Sequence, residues 1–160
     1  MEQNYAPVDL TSLYTKNFSF MGRQIKFVEG NGCWIQCMTN VKISRDKIFS
    51  FMLKLVKSPS RNILIGVVDS EQRKNDQYSH STKFAACYYG INGNKYPDGN
   101  PEGGGFKEGE IVETAVDLQN GIVEWKVMGK KRASFKSEYL KTEGVKFVPY
   151  FEMFNVGDVV

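Results

Sequence analysis

A chain of 160 residues, 41% hydrophobic and 24% charged, has the make-up of one globular domain able to bury a core without disulfides or metals. A formal net charge of +3 does not impose a nucleic-acid partner, no apolar run is long enough to span a bilayer, and the first residues lack the basic and apolar regions of a secretion signal. Cys33, Cys37 and Cys87 are odd in number and form no Cys-x-x-Cys pair, so free, largely buried thiols in a reducing, cytoplasmic compartment are expected. Asn17-Phe18-Ser19 is accordingly read as a chance match to a glycosylation acceptor.

Residues 1–20 read as an N-terminal extension or a first turn or strand, with a short helical turn over 7–14 capped by Asp9. A strand over 24–28 precedes the turn Glu29-Gly30-Asn31-Gly32. From 35 to 43 the alternation predicts a second strand, with Ile35, Cys37, Val41 and Ile43 on one face and Gln36, Asn40 and Lys42 on the other. Trp34 falls on the face away from Ile35 and Cys37, where it covers the outside of the sheet or joins a partner surface. After a turn at 44–47, Phe49, Phe51, Leu53 and Leu55 point inward while Ser50 and Lys54 point outward. Residues 62–69 are apolar on both faces, as a strand covered on both sides would be. A polar stretch at 70–82 has no periodicity. Asn92-Gly93 then turns the chain between Tyr88-Tyr89 and Lys95-Tyr96, ahead of a Gly/Pro-rich tract at 97–105.

The stretch 110–130 writes out a β-hairpin. Taking Asn120-Gly121 as a tight two-residue turn sets Leu118 against Val123, Val116 against Trp125, and Thr114 against Val127. With Val112 these form one apolar face, so Trp125 belongs to the core, while Asp117, Glu124 and Lys126 lie on the other face. That register opposes Asp117 to Glu124, a mildly unfavourable pair. A short helical turn is expected around 135–141, and 145–160 is aromatic-rich strand material. Many short strands between turn signals predict an all-β sandwich or barrel.

Few residues suggest chemistry. His80, the only histidine, sits among hydroxyls in Gln77-Tyr78-Ser79-His80-Ser81 and reads as a contact residue rather than a general base. Asp98 to Gly103 opens like a calcium loop, but the closing glutamate would fall at Gly109, so a surface turn is the better account. Gly103-Gly104-Gly105 lacks the Lys-Ser/Thr and helix of a phosphate loop. Lys130-Lys131-Arg132, with Lys136 nearby, reads as a solvated loop beyond a strand. One histidine and three scattered cysteines supply no metal-ligand spacing. No catalytic residue, metal or cofactor is expected.

The second half resembles a SPRY domain. Ile65-Gly66-Val67-Val68 looks like the family's Val-Gly-Val-Ala strand, and Tyr88-Tyr89-Gly90 with Asn94-Lys95-Tyr96 and Asp98-Gly99 like the aromatic-Gly…Tyr-x-x-Gly stretch after it. Phe106 to Val112 is similar to the Phe-x-x-Gly-Asp segment, with Glu110 where Asp is usual. Val116-Asp117-Leu118 follows as the Leu-Asp-like element, and 122–129 as the strand that ends in Asn-Gly, here Met128-Gly129. Val148-Pro149-Tyr150-Phe151 and Asn155-Val156-Gly157-Asp158 resemble the closing motifs. These elements keep the family's order over 60–160, so 1–160 is read as a single SPRY-like domain.

The resemblance implies a bent sandwich of two antiparallel sheets, without catalytic activity, that recognises a partner protein or peptide through loops at one edge, as adaptor or assembly subunit. The binding residues implied are Gln77, Tyr78, Ser79, His80, Phe154, Asn155 and Val156, with Tyr78 and Phe154 as aromatic anchors. Several relatives carry a large aromatic at the place of Asn155, so their short-peptide specificity is not carried over. No RING, B-box or SOCS-box accompanies the domain, which reads as part of a longer protein or as a stand-alone subunit of a complex. Neither nucleic acid nor membrane insertion is expected. The alternative is a sandwich that binds carbohydrate or nucleic acid, which would show exposed aromatic faces flanked by amides or a continuous basic stripe. Tyr88, Tyr89, Tyr96 and the Lys130 cluster are its candidates.

Overall fold

In the computed structural model the described residues are 17–21, 24–30, 32–71 and 79–160. The helical turn expected at 7–14 lies outside them. The strands are β1 (Phe18–Met21), β2 (Gln24–Phe27), β3 (Ile35–Met38), β4 (Phe49–Lys54), β5 (Ile63–Asp69), β6 (Ala85–Tyr89), β7 (Asn94–Tyr96), β8 (Asn100–Pro101), β9 (Ile111–Asp117), β10 (Ile122–Val127), β11 (Lys130–Lys136) and β12 (Phe147–Met153). They form a six-stranded sheet in the order β3-β12-β5-β6-β7-β8, a four-stranded sheet β11-β10-β9-β4, and the pair β1-β2. The all-β sandwich of antiparallel sheets is as the sequence predicts.

Alternation explains how the sheets meet. Ile63, Ile65 and Val67 of β5, Tyr88 of β6 and Phe147 and Phe151 of β12 face Val112, Val116, Val123, Trp125 and Phe135 of the four-stranded sheet in one core. Each fully buried side chain of this size stabilises the fold by about 1.5–3 kcal/mol. The six-stranded sheet is covered on its outer face as well, where Leu64, Val68, Cys87, Val148 and Tyr150 form a second buried layer with Trp34, Tyr89 and Tyr96 packed against it. This is why β5 is apolar on both faces from Ile63 to Val68. Gly66 lies on this outer face opposite Cys87, and a Cβ there would stand 1.9 Å from the Ala86 carbonyl oxygen, so only glycine permits the strand spacing.

Three local expectations are corrected. The strand predicted at 35–43 stops at Met38. Thr39 N–H donates to Pro149 O on β12 at 3.0 Å, but Pro149 has no N–H to return. The ladder breaks there and resumes at Ile43 N–H to Phe147 O, 2.9 Å.

The β9–β10 register differs by two residues from the predicted one: Val116 pairs with Val123, Thr114 with Trp125, and Val112 with Val127. A shift of two keeps every side chain on its face. Its cause is Asp117, whose carboxylate accepts the Asn120 backbone N–H at 3.0 Å and Asn120 Nδ2 at 2.7 Å and widens the turn to residues 118–121. Glu124 now faces Ala115 rather than Asp117, and Lys126 faces Glu113 with Nζ 3.9 Å from Oε2.

The Lys130 cluster is strand β11, not a loop. Its hairpin turns on Met128 and Gly129, at φ 51° and 77°, the positive pair a two-residue turn requires.

Other expectations hold. Asn92-Gly93 turns β6 into β7, with Tyr88 opposite Lys95. A single 3-10 turn covers Glu138–Lys141, and the Ser137 hydroxyl caps it by accepting Tyr139 N–H at 3.2 Å. The three cysteines form no disulfide with one another, Cys37 and Cys87 being buried and Cys33 partly so. Asn17 is 7% exposed, and its Nδ2 donates to Glu29 O at 2.6 Å.

Candidate functional site

The outer face of the six-stranded sheet carries more aromatic surface than a solvated face needs. Trp34, just before β3, is its hub. Its ring centroid lies 5.6 Å from His80, 5.9 Å from Tyr89 and 5.4 Å from Phe154, and Tyr96 lies 5.1 Å from His80. Alternation puts these groups together. Trp34 lies in phase with Gln36 and Met38, Tyr89 with Cys87, and Tyr96 sits opposite Cys87 on β7. All five rings are half-buried, so each offers part of its surface to solvent.

His80 reaches this face in the short 3-10 turn Ser79–Ser81. Glu152 of β12 holds it there. That side chain is fully buried, between Gln36 of β3 and Leu64 of β5. One carboxylate oxygen accepts the His80 backbone N–H at 3.2 Å and the other lies 2.6 Å from His80 Nδ1. A carboxylate this deep requires such a partner, because desolvation without one costs several kcal/mol. Beside it, Tyr150 and Cys87 are entirely enclosed. Burial pushes the Tyr150 phenol well above its ordinary value, with Cys87 and Glu152 adding in the same direction. Burial likewise pushes the Cys87 thiol well up, with Glu152 adding to it, which leaves the sulfur protonated and poorly nucleophilic.

A polar relay borders the aromatic group. Tyr89 Oη donates to Asn62 Oδ1 at 2.5 Å, and Asn62 Nδ2 donates to Asn155 Oδ1 at 2.9 Å. The Ser60 hydroxyl donates to the same Asn155 oxygen at 2.7 Å. Burial, with Tyr96 as a smaller contribution, raises the Tyr89 phenol above its ordinary value. A shallow groove of about 290 Å³ runs beside Asn155, with Pro59 and Val156 as apolar walls and Lys57 and Asp158 at its other contacts.

Of the residues expected from sequence, His80 and Phe154 meet through Trp34, and Asn155 joins the adjoining relay. Val156 is 59% exposed on the groove wall. Ser79 opens the 3-10 turn, and Gln77 and Tyr78 lie outside the described residues.

Tyr88, grouped with Tyr89 and Tyr96 as a ligand surface, instead faces the core and stacks on Trp125. The Lys130 cluster lies on the other sheet. There Lys131 Nζ pairs with Glu124 Oε2 at 2.6 Å and Arg132 Nη1 donates to Gly103 O at 3.0 Å. Among the described residues no group of three or more His, Cys, Asp or Glu is placed to hold a metal.

Sequence reasoning missed Glu152, Asn62 and Ser60. Glu152 had a signal, as the only charge in an otherwise apolar strand. Ser60 sits in a turn and Asn62 directly ahead of β5, where no pattern marks either as a partner of Asn155.

No family model and no curated protein matches the sequence. Solved structures do match the fold. A human SPRY domain superposes with TM-score 0.71 at 15% identity, over 89% of this chain and 92% of that one. The SPRY domain of human HERC1 gives 0.67 at 15% identity, over 85% and 84%. The TRIM65 PSpry domain gives 0.74 at 10% identity, over 98% and 92%. The chain has a SPRY-like β-sandwich fold.

Proposed function

We propose that this chain is a protein-interaction module that takes a partner protein or peptide on the surface formed by Trp34, His80, Tyr89, Tyr96 and Phe154. SPRY domains generally serve as interaction modules, which supports the class. The observation that carries the reading is the contact of Trp34 with both His80 and Phe154. It joins a loop before β6 to the end of β12 in one half-exposed aromatic surface. Rigid aromatic groups ringed by polar ones are what interface hot spots are made of. The module works as adaptor or assembly subunit, and three cysteines without a disulfide suit a reducing compartment such as the cytoplasm. No described helix is long and apolar enough to cross a membrane.

The test is an affinity capture from lysate with the wild-type chain beside a Tyr96→Ala/Phe154→Ala variant, which leaves the His80–Glu152 pair in place, after both give a cooperative melt. A stoichiometric protein retained only by the wild type supports the reading. Equal retention by both would refute this surface.

One observation favours the second reading. Asn62 and Asn155 flank the aromatic rings, as in many carbohydrate sites. Against it, Trp34 meets its neighbours tilted or edge-on, at 57° to 73°, so the rings form no common flat platform. Binding to a glycan array, lost in the same variant, would make carbohydrate the ligand.

A further inference from the structure

We infer that Asn155 is a peptide-binding donor, set to hold a main-chain carbonyl of an extended peptide lying in the groove beside it. This deepens the interaction-module reading and rests on it.

The relay that ends on Asn155 has a direction. Tyr89 gives its proton to Asn62 Oδ1, so the Asn62 amide group turns its Nδ2 toward Asn155. Asn155 therefore answers with its oxygen. That oxygen is saturated, because the Ser60 hydroxyl donates to it as well. Three side chains from two other segments thus fix which way the Asn155 amide faces. Its Nδ2 makes no hydrogen bond among the described residues, and the residue is half-exposed on the groove wall.

A fixed amide with a saturated acceptor and two unused protons asks for an acceptor from outside. Pre-organisation of this kind removes the ordering cost that weakens most surface hydrogen bonds. The surroundings point to a peptide main chain. The groove runs between segments 57–60 and 155–158, open along its length, with Pro59 and Val156 offering apolar walls and Lys57, Ser60 and Asp158 offering polar groups beside them. The aromatic surface begins at the neighbouring residue, Phe154, packed at a tilt against Trp34. An extended peptide can place one side chain on those rings, run along the groove and present a carbonyl to Asn155 between the two.

Selection of random linear peptides displayed on phage against the wild-type chain supplies the probe, and Asn155→Asp is the decisive variant. Aspartate keeps an oxygen for Ser60 and Asn62 but puts a second oxygen where the outward donor stood. Folding should therefore be unchanged, while affinity for the selected peptides falls about tenfold or more. Replacing the peptide's amides by esters one at a time should identify a single carbonyl whose weakening costs affinity on the wild type and costs nothing on Asn155→Ala. Tyr89→Phe, which releases Asn62, should give an intermediate loss. Peptides that bind Asn155→Asp and wild type alike would overturn this inference and leave the interaction-module reading standing. Failure to enrich any peptide would overturn both.

Discussion

Tyr88 and Trp125 lie ring on ring across the sandwich, 5.6 Å between centroids and 18° from parallel, and so tie β6 of one sheet to β10 of the other. Phe106 continues the stack beyond Tyr88 at 5.9 Å. Both Tyr88 and Trp125 are fully buried, so Trp125→Ala would leave a cavity that neighbouring strands cannot collapse into. A loss of about 3–5 kcal/mol is expected, read as a shifted midpoint in urea unfolding, with Trp125→Phe costing less. The Tyr88 phenol, pushed up to about 12 by burial and drawn back slightly by Arg132, stays protonated throughout such a measurement.

Thr114 lies opposite Trp125 on the inner face and is fully buried, yet its hydroxyl finds no hydrogen-bond partner among the described residues. Valine has the same shape without the polar atom. Thr114→Val is expected to stabilise the fold by about 1 kcal/mol, because a buried donor without a partner is costly to keep. Calorimetry that showed a lower melting temperature would mean that the hydroxyl is satisfied.

Met128 holds a positive φ, 51°, in the turn between β10 and β11, and is 58% exposed. Asparagine adopts that conformation with far less strain. Met128→Asn should raise stability by about 0.5–1 kcal/mol, and Met128→Val, branched at Cβ, should lower it. Unfolding midpoints of the two variants should fall on opposite sides of the wild type.

Two aspartates should respond to acid in opposite senses. The Asn120 side chain and backbone hold Asp117 below the usual 3.8, so its contribution is present above that value and is lost as pH falls through the lowered folded value. The acid-induced loss of stability should be smaller in Asp117→Asn. Burial raises Asp158, with the nearby Glu108 adding to it and the Ser58 hydroxyl, donating at 2.9 Å, acting against it. There the folded chain binds the proton more tightly than the unfolded one, so this site gains stability as pH falls through its raised value. Asp158→Asn should hold its advantage at neutral pH and lose it in acid. Urea titrations at several pH values read both differences.

Where alternation was strong, faces were legible in the sequence. β4, β5 and both faces of the β9–β10 hairpin are as periodicity predicts. What periodicity cannot supply is register, and Asp117 moved it through a side-chain hydrogen bond that no pattern encodes. β11 was hidden because its outward residues are lysine and arginine, while only Ala133 and Phe135 mark the buried side. At the candidate site, His80 and Phe154 were found through the family resemblance, and Trp34 was placed on the right face by counting from Ile35. Glu152 meets His80 from 72 positions away, and the Ser60–Asn62–Asn155 relay joins residues 95 and 93 positions apart at a sheet end.

The position of β12 has a consequence for how the chain reaches its folded state. It lies between β3 and β5, yet follows both in chain order, and hydrogen-bonds to each along its length. As the nascent chain emerges from the ribosome, β3 and β5 must wait with open edges for the segment 147–153. During that interval they are templates for pairing with other chains. The same late strand delivers Glu152, so the histidine turn gains its anchor only once the sheet is complete. A partially folded chain would therefore lack the ordered aromatic surface around Trp34, and capture of the proposed partner would itself report that folding has finished.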